Sequence, residues 1–108
     1  MRYDYEATGS HIEYSDSWTR SEVARLFNLS NEEYLAHVRS KIMSVHLHAP
    51  GGEHITSPDM LNETALDRVD WPTYLWFVET PTAHVREMQR LGEAARRALY
   101  DGSERPNE

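Results

Sequence analysis

The chain contains no cysteine. This absence excludes a disulfide framework, a thiolate zinc site and a cysteine nucleophile. Long apolar runs are also missing, and none approaches the roughly 20 residues that cross a bilayer. The first residues, 1–6, lack the apolar stretch of a signal peptide. We therefore expect no membrane association and a cytoplasmic location, in a cell or in the host of something that infects one.

Positive charge is scarce, with 11 Lys and Arg residues against 18 Asp and Glu residues and a formal net charge of −7. The acidic side chains concentrate in residues 1–16 and 53–79, whereas residues 82–100 are mildly basic. The long-range field of such a chain repels nucleic acid. The charge balance therefore argues against a nucleic-acid partner, and it also favours solubility.

Helical signals dominate most of the chain. Thr19 with Glu22, and Ser30 with Glu33, have the spacing of capping boxes at helix starts. Apolar residues at helical spacing follow both caps, and they recur more weakly after Ser57-Pro58. We interpret Thr80-Pro81 as the start of a last helix, because serine or threonine before proline is a typical beginning. Asp101-Gly102 would end that helix.

Extended structure is predicted in two places. Between residues 44 and 56, apolar residues alternate with histidines and then meet the turn sequence Ala-Pro-Gly-Gly. This pattern predicts a small β-hairpin near residues 44–56. Residues 1–16 are polar and rich in tyrosine, and they predict either a weak hairpin or a disordered arm.

The sequence as a whole predicts an α+β fold that is mainly α. We expect a compact domain of four to five helices with a small β-hairpin. The predicted organisation is an arm or weak hairpin at 1–16, one globular domain at 17–102 and a polar tail at 103–108. A chain of 108 residues is short enough for a single domain.

Three histidines form a candidate metal site. His46 and His48 are two apart, so in a strand both imidazoles point to one face. His54 would arrive from across the Pro-Gly-Gly turn, and imidazole nitrogens are common zinc ligands. The pattern predicts a metal site at His46, His48 and His54, with solvent-facing histidines on a half-buried strand as the alternative. His11, His37 and His84 stand alone, and we expect surface or internally satisfied side chains.

Carboxylates cluster around a tryptophan in the acidic segment. Asp67, Asp70 and Glu79 could act as general acid and base. No nucleophile elbow, phosphate loop or catalytic metal set accompanies them. We therefore interpret them as an acidic face beside Trp71, predict neither a catalytic residue nor a cofactor, and expect a protein that is not an enzyme.

A protein partner is the remaining expectation. The predicted partner-binding residues combine the aromatic and acidic side chains of one segment with arginines of the last helix. Self-association is a second expectation, because Gly92 and the alanines near it would let another helix approach closely. The partner-binding residues are Trp71, Tyr74, Asp67, Asp70, Arg90 and Arg97.

A short stretch resembles a DNA-binding motif. Residues 20–30 resemble the opening of the MerR and excisionase families, in which a Ser-Glu-Val-Ala helix precedes a turn and a recognition helix. Here the second helix begins with Glu32 and Glu33, where DNA phosphates would lie, and its positive groups are Arg39 and Lys41. The resemblance implies a helix-turn-helix regulator, which stays open as an alternative.

The layout of residues 17–100 resembles another group, the small proteins encoded in the tail-assembly region of tailed phages, including tail assembly chaperones. This resemblance implies a non-enzymatic protein that binds virion or assembly components, in the host cytoplasm or in the virion. The stretches that carry it are Ser17-Trp18-Thr19-Arg20-Ser21-Glu22-Val23, Ile55-Thr56-Ser57-Pro58, Leu66-Asp67-Arg68-Val69-Asp70, Tyr74-Leu75-Trp76 and Leu91-Gly92-Glu93-Ala94.

The expected function is therefore that of a non-enzymatic acidic protein-interaction protein, of the kind that serves as a phage assembly or structural accessory factor. Besides the regulator, a second alternative is a small acidic inhibitor of a host enzyme. In that case the acidic segments 1–16 and 53–79 would mimic nucleic acid.

Overall fold

The computed structural model describes residues 1–28 and 30–103. Within them lie four α-helices and a three-stranded antiparallel sheet, which confirms the expected mainly-α class of α+β fold. Residues 104–108 of the predicted polar tail lie outside the described residues. The elements are β1 (Arg2–Tyr5), β2 (Ser10–Tyr14), α1 (Arg20–Leu26), α2 (Asn31–Lys41), β3 (Ile42–His46), a 3₁₀ turn (Pro58–Met60), α3 (Glu63–Leu66) and α4 (Trp71–Ser103).

The sheet has the order β1-β2-β3, and β2 is its central strand. Of the two alternatives for residues 1–16, the structure has the hairpin, whose turn contains Gly9 at a φ of 69°. Alternate residues of β2 point inward, so Ile12 and Tyr14 are fully buried. The N-terminal hairpin thus supplies two large side chains to the core.

The hairpin predicted near residues 44–56 is reduced to one residue pair. Leu47 and Ile55 exchange backbone hydrogen bonds of 2.8 and 3.1 Å, and the pairing stops there. The 3₁₀ turn begins at Pro58, so only two residues separate it from Ile55 and the hairpin does not extend further. Strand β3 pairs instead with β2, from His11 opposite His46 to Tyr14 opposite Ile42, with a register irregularity between Glu13 and Tyr14.

Helices α1 and α2 begin at the predicted caps. Thr19 accepts from the Glu22 backbone N–H at 3.1 Å, and the Glu22 carboxylate accepts from the Thr19 N–H at 2.8 Å. This complete capping box satisfies two N–H groups that have no partner within the helix. Ser30 accepts from the Glu33 N–H at 3.5 Å at the start of α2.

Helix α4 runs without a break through Pro81, so the predicted helix start at Thr80-Pro81 is wrong. It also continues past Gly102, where the sequence suggested an end. Proline has no N–H to donate to the carbonyl four residues earlier, which is that of Phe77. The Thr80 hydroxyl donates to this carbonyl at 2.7 Å and replaces the missing backbone donor.

The core lies where the sheet, α2 and the first half of α4 meet. From residue 91 onward every described side chain of α4 with an assigned burial is exposed, so this half projects beyond the body. The molecule measures 64 × 29 × 19 Å as a result. The buried apolar residues are Ile12, Tyr14, Leu26, Val38, Ile42, Val45, Leu47, Ala49, Ile55, Leu61, Val69 and Phe77.

His84 of α4 is fully buried between the N-terminal hairpin and Trp18. Its Nδ1 lies 2.9 Å from the Tyr3 hydroxyl and its Nε2 lies 2.9 Å from the Ser15 carbonyl oxygen. A neutral imidazole satisfies both contacts if Nε2 donates and Nδ1 accepts. Burial lowers the pKa of His84, in agreement with that neutral form.

Candidate functional site

A groove with a volume of about 560 Å³ opens between α2, α3 and the first turns of α4. Its floor is apolar and partly belongs to the core, because Phe77 and Val69 are buried. Concave apolar surfaces with a few polar groups at the edge are typical binding sites. The residues that line it are Tyr34, Leu35, Glu63, Leu66, Asp67, Val69, Trp71, Tyr74, Phe77 and Val78.

Two aromatic rings form one wall of the groove. Trp71 and Tyr74 are three residues apart on α4, and their rings stack with centroids 5.8 Å apart and an interplanar angle of 16°. Trp71 is 67% exposed, although it is the largest side chain in the wall. Such an exposed, pre-stacked ring can bury much apolar surface against a partner without losing many rotamers.

A further aromatic residue of the lining comes from α2. Tyr34 lines the groove, and burial together with the charge of Glu79 raises the pKa of its hydroxyl. A neutral phenol can donate a hydrogen bond. Tyr34 therefore adds a polar group to a surface that is otherwise apolar on this side.

The rim of the groove is acidic. Glu63 begins α3 and Asp67, four residues later, is its C-cap residue. Both are exposed, and in the part of the chain that the structure describes neither forms an ion pair. The one basic residue of the segment, Arg68, lies elsewhere, since its side chain packs over Gly52. Among the described residues, the rim carboxylates therefore have no cationic side chain paired with them.

The predicted partner-binding residues fall in two places. Asp67, Trp71 and Tyr74 line the groove. Asp70 directly precedes α4, and its Oδ1 is buried without a hydrogen-bond partner among the described residues. Arg90 and Arg97 lie far along α4, on a separate open surface with Arg86, Gln89, Glu93 and Ala94.

The sequence analysis missed the half of the groove that comes from other elements. Tyr34 and Leu35 are among the apolar residues that follow the Ser30 cap, and no local signal links them to a segment 30 residues later. Glu63 could have been found, because its spacing of four from Asp67 places both on one face of any helix.

The three predicted metal ligands do meet. The ring of His54 lies edge-on to those of His46 and His48, with centroids 5.4 and 4.8 Å away. His11, which the sequence left alone, stacks on His46 at 6.0 Å. Within residues 1–28 and 30–103, no group of three or more His, Asp or Glu side chains is arranged to hold a metal ion. The metal site therefore stays a prediction.

In the described part of the chain, no helix is both long and apolar enough to span a bilayer, although α4 has the length. No protein-family model, curated protein or solved structure matches the sequence or its fold.

Proposed function

We propose that this chain is a non-enzymatic protein-interaction protein whose groove binds a partner segment with an apolar side chain next to arginine or lysine. The observation that carries the proposal is the stack of exposed Trp71 on half-buried Tyr74, which lines the same groove as an apolar floor. Beside it are the carboxylates of Glu63 and Asp67, which form no ion pair within the described residues.

The apolar half of the proposal rests on buried area. Trp71 leaves most of its surface in water, and the floor beneath it is built from core residues that hold its shape. A tryptophan at the centre of an interface typically contributes about 2–4 kcal/mol to binding. An aliphatic or aromatic side chain of the partner would fill the groove and cover this ring.

The basic half rests on charge complementarity. A cation placed at the rim would meet Glu63 and Asp67, and it could also lie over the face of the Trp71 ring. Opposite charge at the rim of an interface mainly raises the association rate and selects the partner. An acidic segment would be repelled by the same two carboxylates.

A binding role without catalysis agrees with the chemistry of the lining. Its described polar side chains are two carboxylates, two phenols and one indole, and it contains no histidine, serine or lysine. The resemblance to small proteins of phage tail-assembly regions suggests where the partner segment comes from. We propose a virion or assembly protein of a tailed phage as its source.

The alternative of a DNA-binding regulator is less well supported by the described contacts. Lys41 forms an ion pair with Glu22, and Arg39 donates to the Leu61 carbonyl oxygen at 2.8 Å. Both cations of α2 are therefore engaged inside the fold, whereas Glu32 and Glu33 at its start are exposed. Phosphate contacts would need free cations on this helix.

The test is a selection of random 12-residue peptides displayed on a particle and panned on the full chain. The proposal predicts that enriched peptides pair Arg or Lys with an apolar residue, and that their binding is lost in Trp71→Ala. The control Phe27→Ala removes an aromatic side chain that is 62% exposed outside the groove, and it should bind normally.

Two results would contradict the proposal. One is enrichment of acidic or purely polar peptides. The other is a selected set whose binding survives Trp71→Ala. The second alternative, a nucleic-acid mimic, predicts a different signature: binding to a basic host enzyme that collapses in about 0.5 M salt, because it depends on many charges. Binding in the groove should be weakened only in part at that salt concentration, because salt screens charges but leaves apolar contacts in place.

A further inference from the structure

The turn after β3 assembles four imidazole rings that the proposed function does not use. Each ring is half-buried. Leu47 and Ile55 form an isolated bridge pair, and the rings of the residues next to them, His48 and His54, have centroids 4.8 Å apart. His46 and His11 are register partners of β3 and β2.

Two ring nitrogens of this cluster face each other. The Nε2 of His46 and the Nδ1 of His54 are 3.4 Å apart. This separation is long for a hydrogen bond. Two nitrogen ligands of a tetrahedral ion, each about 2.0–2.1 Å from the metal, are themselves about 3.3–3.4 Å apart. The two nitrogens are thus spaced as ligands of one ion are.

We propose that His46 and His54 bind one divalent transition-metal ion of the zinc type through these two nitrogens, and that His48 becomes the third ligand by rotation of its side chain. The rotation is needed because three donor groups do not converge as the side chains stand. The ring of His48 already lies beside that of His54, with centroids 4.8 Å apart.

The backbone makes the proposed site stiff, which favours binding. His46 is paired with His11 of β2, and the mutual hydrogen bonds of Leu47 and Ile55 fix the distance between the backbones that carry His48 and His54. Ligands held in place lose less freedom when the ion binds. The net charge of the chain, −7, also attracts a cation.

The experiment titrates Zn²⁺ and Ni²⁺ into the chelator-treated full chain by isothermal titration calorimetry. We expect one saturable site. His46→Ala and His54→Ala should each weaken it at least about 100-fold, and His48→Ala by about 10-fold. The matched control is His37→Ala, since His37 lies apart and is engaged with the Glu22 carbonyl oxygen. It should bind like the unchanged chain.

A second readout needs no variant. Long-range ¹H–¹⁵N NMR of the imidazoles should show zinc-induced ¹⁵N shifts at Nε2 of His46 and at Nδ1 of His54. The proposal is overturned if the chain takes up no zinc at millimolar concentration. It is also overturned if the shifts appear on His11, His37 or His84 instead, or if binding survives His46→Ala combined with His54→Ala. If His48→Ala binds zinc with unchanged affinity, His48 is not a ligand of the proposed site.

Discussion

The side chain of Thr80 takes the place of a backbone donor for Phe77. Its Oγ1 donates to the Phe77 carbonyl oxygen at 2.7 Å, because Pro81 has no N–H to offer. The Tyr14 hydroxyl lies 2.8 Å from the same Oγ1 and can donate to it. This buried chain of hydrogen bonds joins the central strand to the helix at its proline.

Replacement of Thr80 by valine should therefore be costly. Thr80→Val keeps the shape of the side chain but leaves the Phe77 carbonyl and the Tyr14 hydroxyl without partners. We expect the free energy of unfolding to fall by about 2–4 kcal/mol, measured by urea denaturation. The control is Thr82→Val, whose hydroxyl makes no hydrogen bond in the described part of the chain. A loss below about 1 kcal/mol in Thr80→Val would contradict this interpretation.

The proline supplies a further check. Pro81→Ala restores a backbone N–H for the Phe77 carbonyl, so Thr80→Val should cost about 1 kcal/mol less in that background. Strictly additive effects of the two substitutions would show that the threonine and the proline act independently.

Buried His84 predicts a pH dependence of stability. Burial lowers its pKa in the folded chain. Below about pH 6.5 the unfolded chain gains a proton that the folded chain resists, so the free energy of unfolding falls until the pH passes the lowered pKa. Asp16, whose Oδ1 lies 3.5 Å from Nε2, moderates the shift without reversing it.

His84→Gln keeps one donor and one acceptor but does not titrate. Its free energy of unfolding, measured between about pH 7.5 and pH 5, should fall less steeply than that of the unchanged chain. The other histidines are common to both proteins, so the difference isolates His84. Equal slopes would mean that His84 is not held neutral by the fold.

Two glycines should respond in opposite directions to alanine. In the described part of the chain, apart from the chain neighbours and nearby helix backbone of Gly92 itself, no atom lies within 4 Å of a Cβ built on Gly92, whereas Gly9 has a φ of +69°. Gly92→Ala should raise helix content and stabilise α4 by up to about 1 kcal/mol. Gly9→Ala should destabilise the hairpin by about 1 kcal/mol, for conformational reasons alone.

The same pair tests the expectation of self-association. Far-UV circular dichroism measures the helix content, and light scattering measures the mass. If two copies pack closely at Gly92, Gly92→Ala will weaken that association while Gly9→Ala leaves it intact. A lower melting temperature for Gly92→Ala would contradict the open surroundings of this residue.

Local sequence signals predicted local structure well. The capping box of Thr19 and Glu22 lies where its spacing placed it, because both hydrogen bonds are made within four residues. Thr80-Pro81 misled because the same dipeptide that starts many helices can continue one. Whether it does depends on Tyr14 and the packed core around it, which no local pattern records.

The groove likewise has one part that neighbouring residues predict and another part that depends on packing between distant segments. Trp71, Tyr74 and Asp67 follow each other closely in the chain, so sequence alone brought them together as a candidate surface. Tyr34 and Leu35 joined them only through the packing of α2. His84 was left alone in the sequence, because its partners Tyr3 and Ser15 lie about 70–80 residues earlier.

The rim carboxylates predict a salt-dependent part of partner binding. Glu63→Gln combined with Asp67→Asn should slow association of a basic peptide several-fold and flatten the salt dependence of its rate, with little effect on dissociation. Stopped-flow fluorescence measures both rates. The control Glu6→Gln removes an exposed carboxylate of the β1–β2 turn. An association rate unchanged by the rim variant would remove charge complementarity from the proposal.

The most direct test of the groove is an NMR titration of the ¹⁵N-labelled full chain with a peptide from the selection. The indole N–H of Trp71 and the amides of Tyr34, Leu66 and Tyr74 should shift together as the peptide saturates the chain, while those around Arg90 stay in place. Shifts confined to the arginine surface of α4, or to α1 and α2 away from Tyr34, would contradict the account.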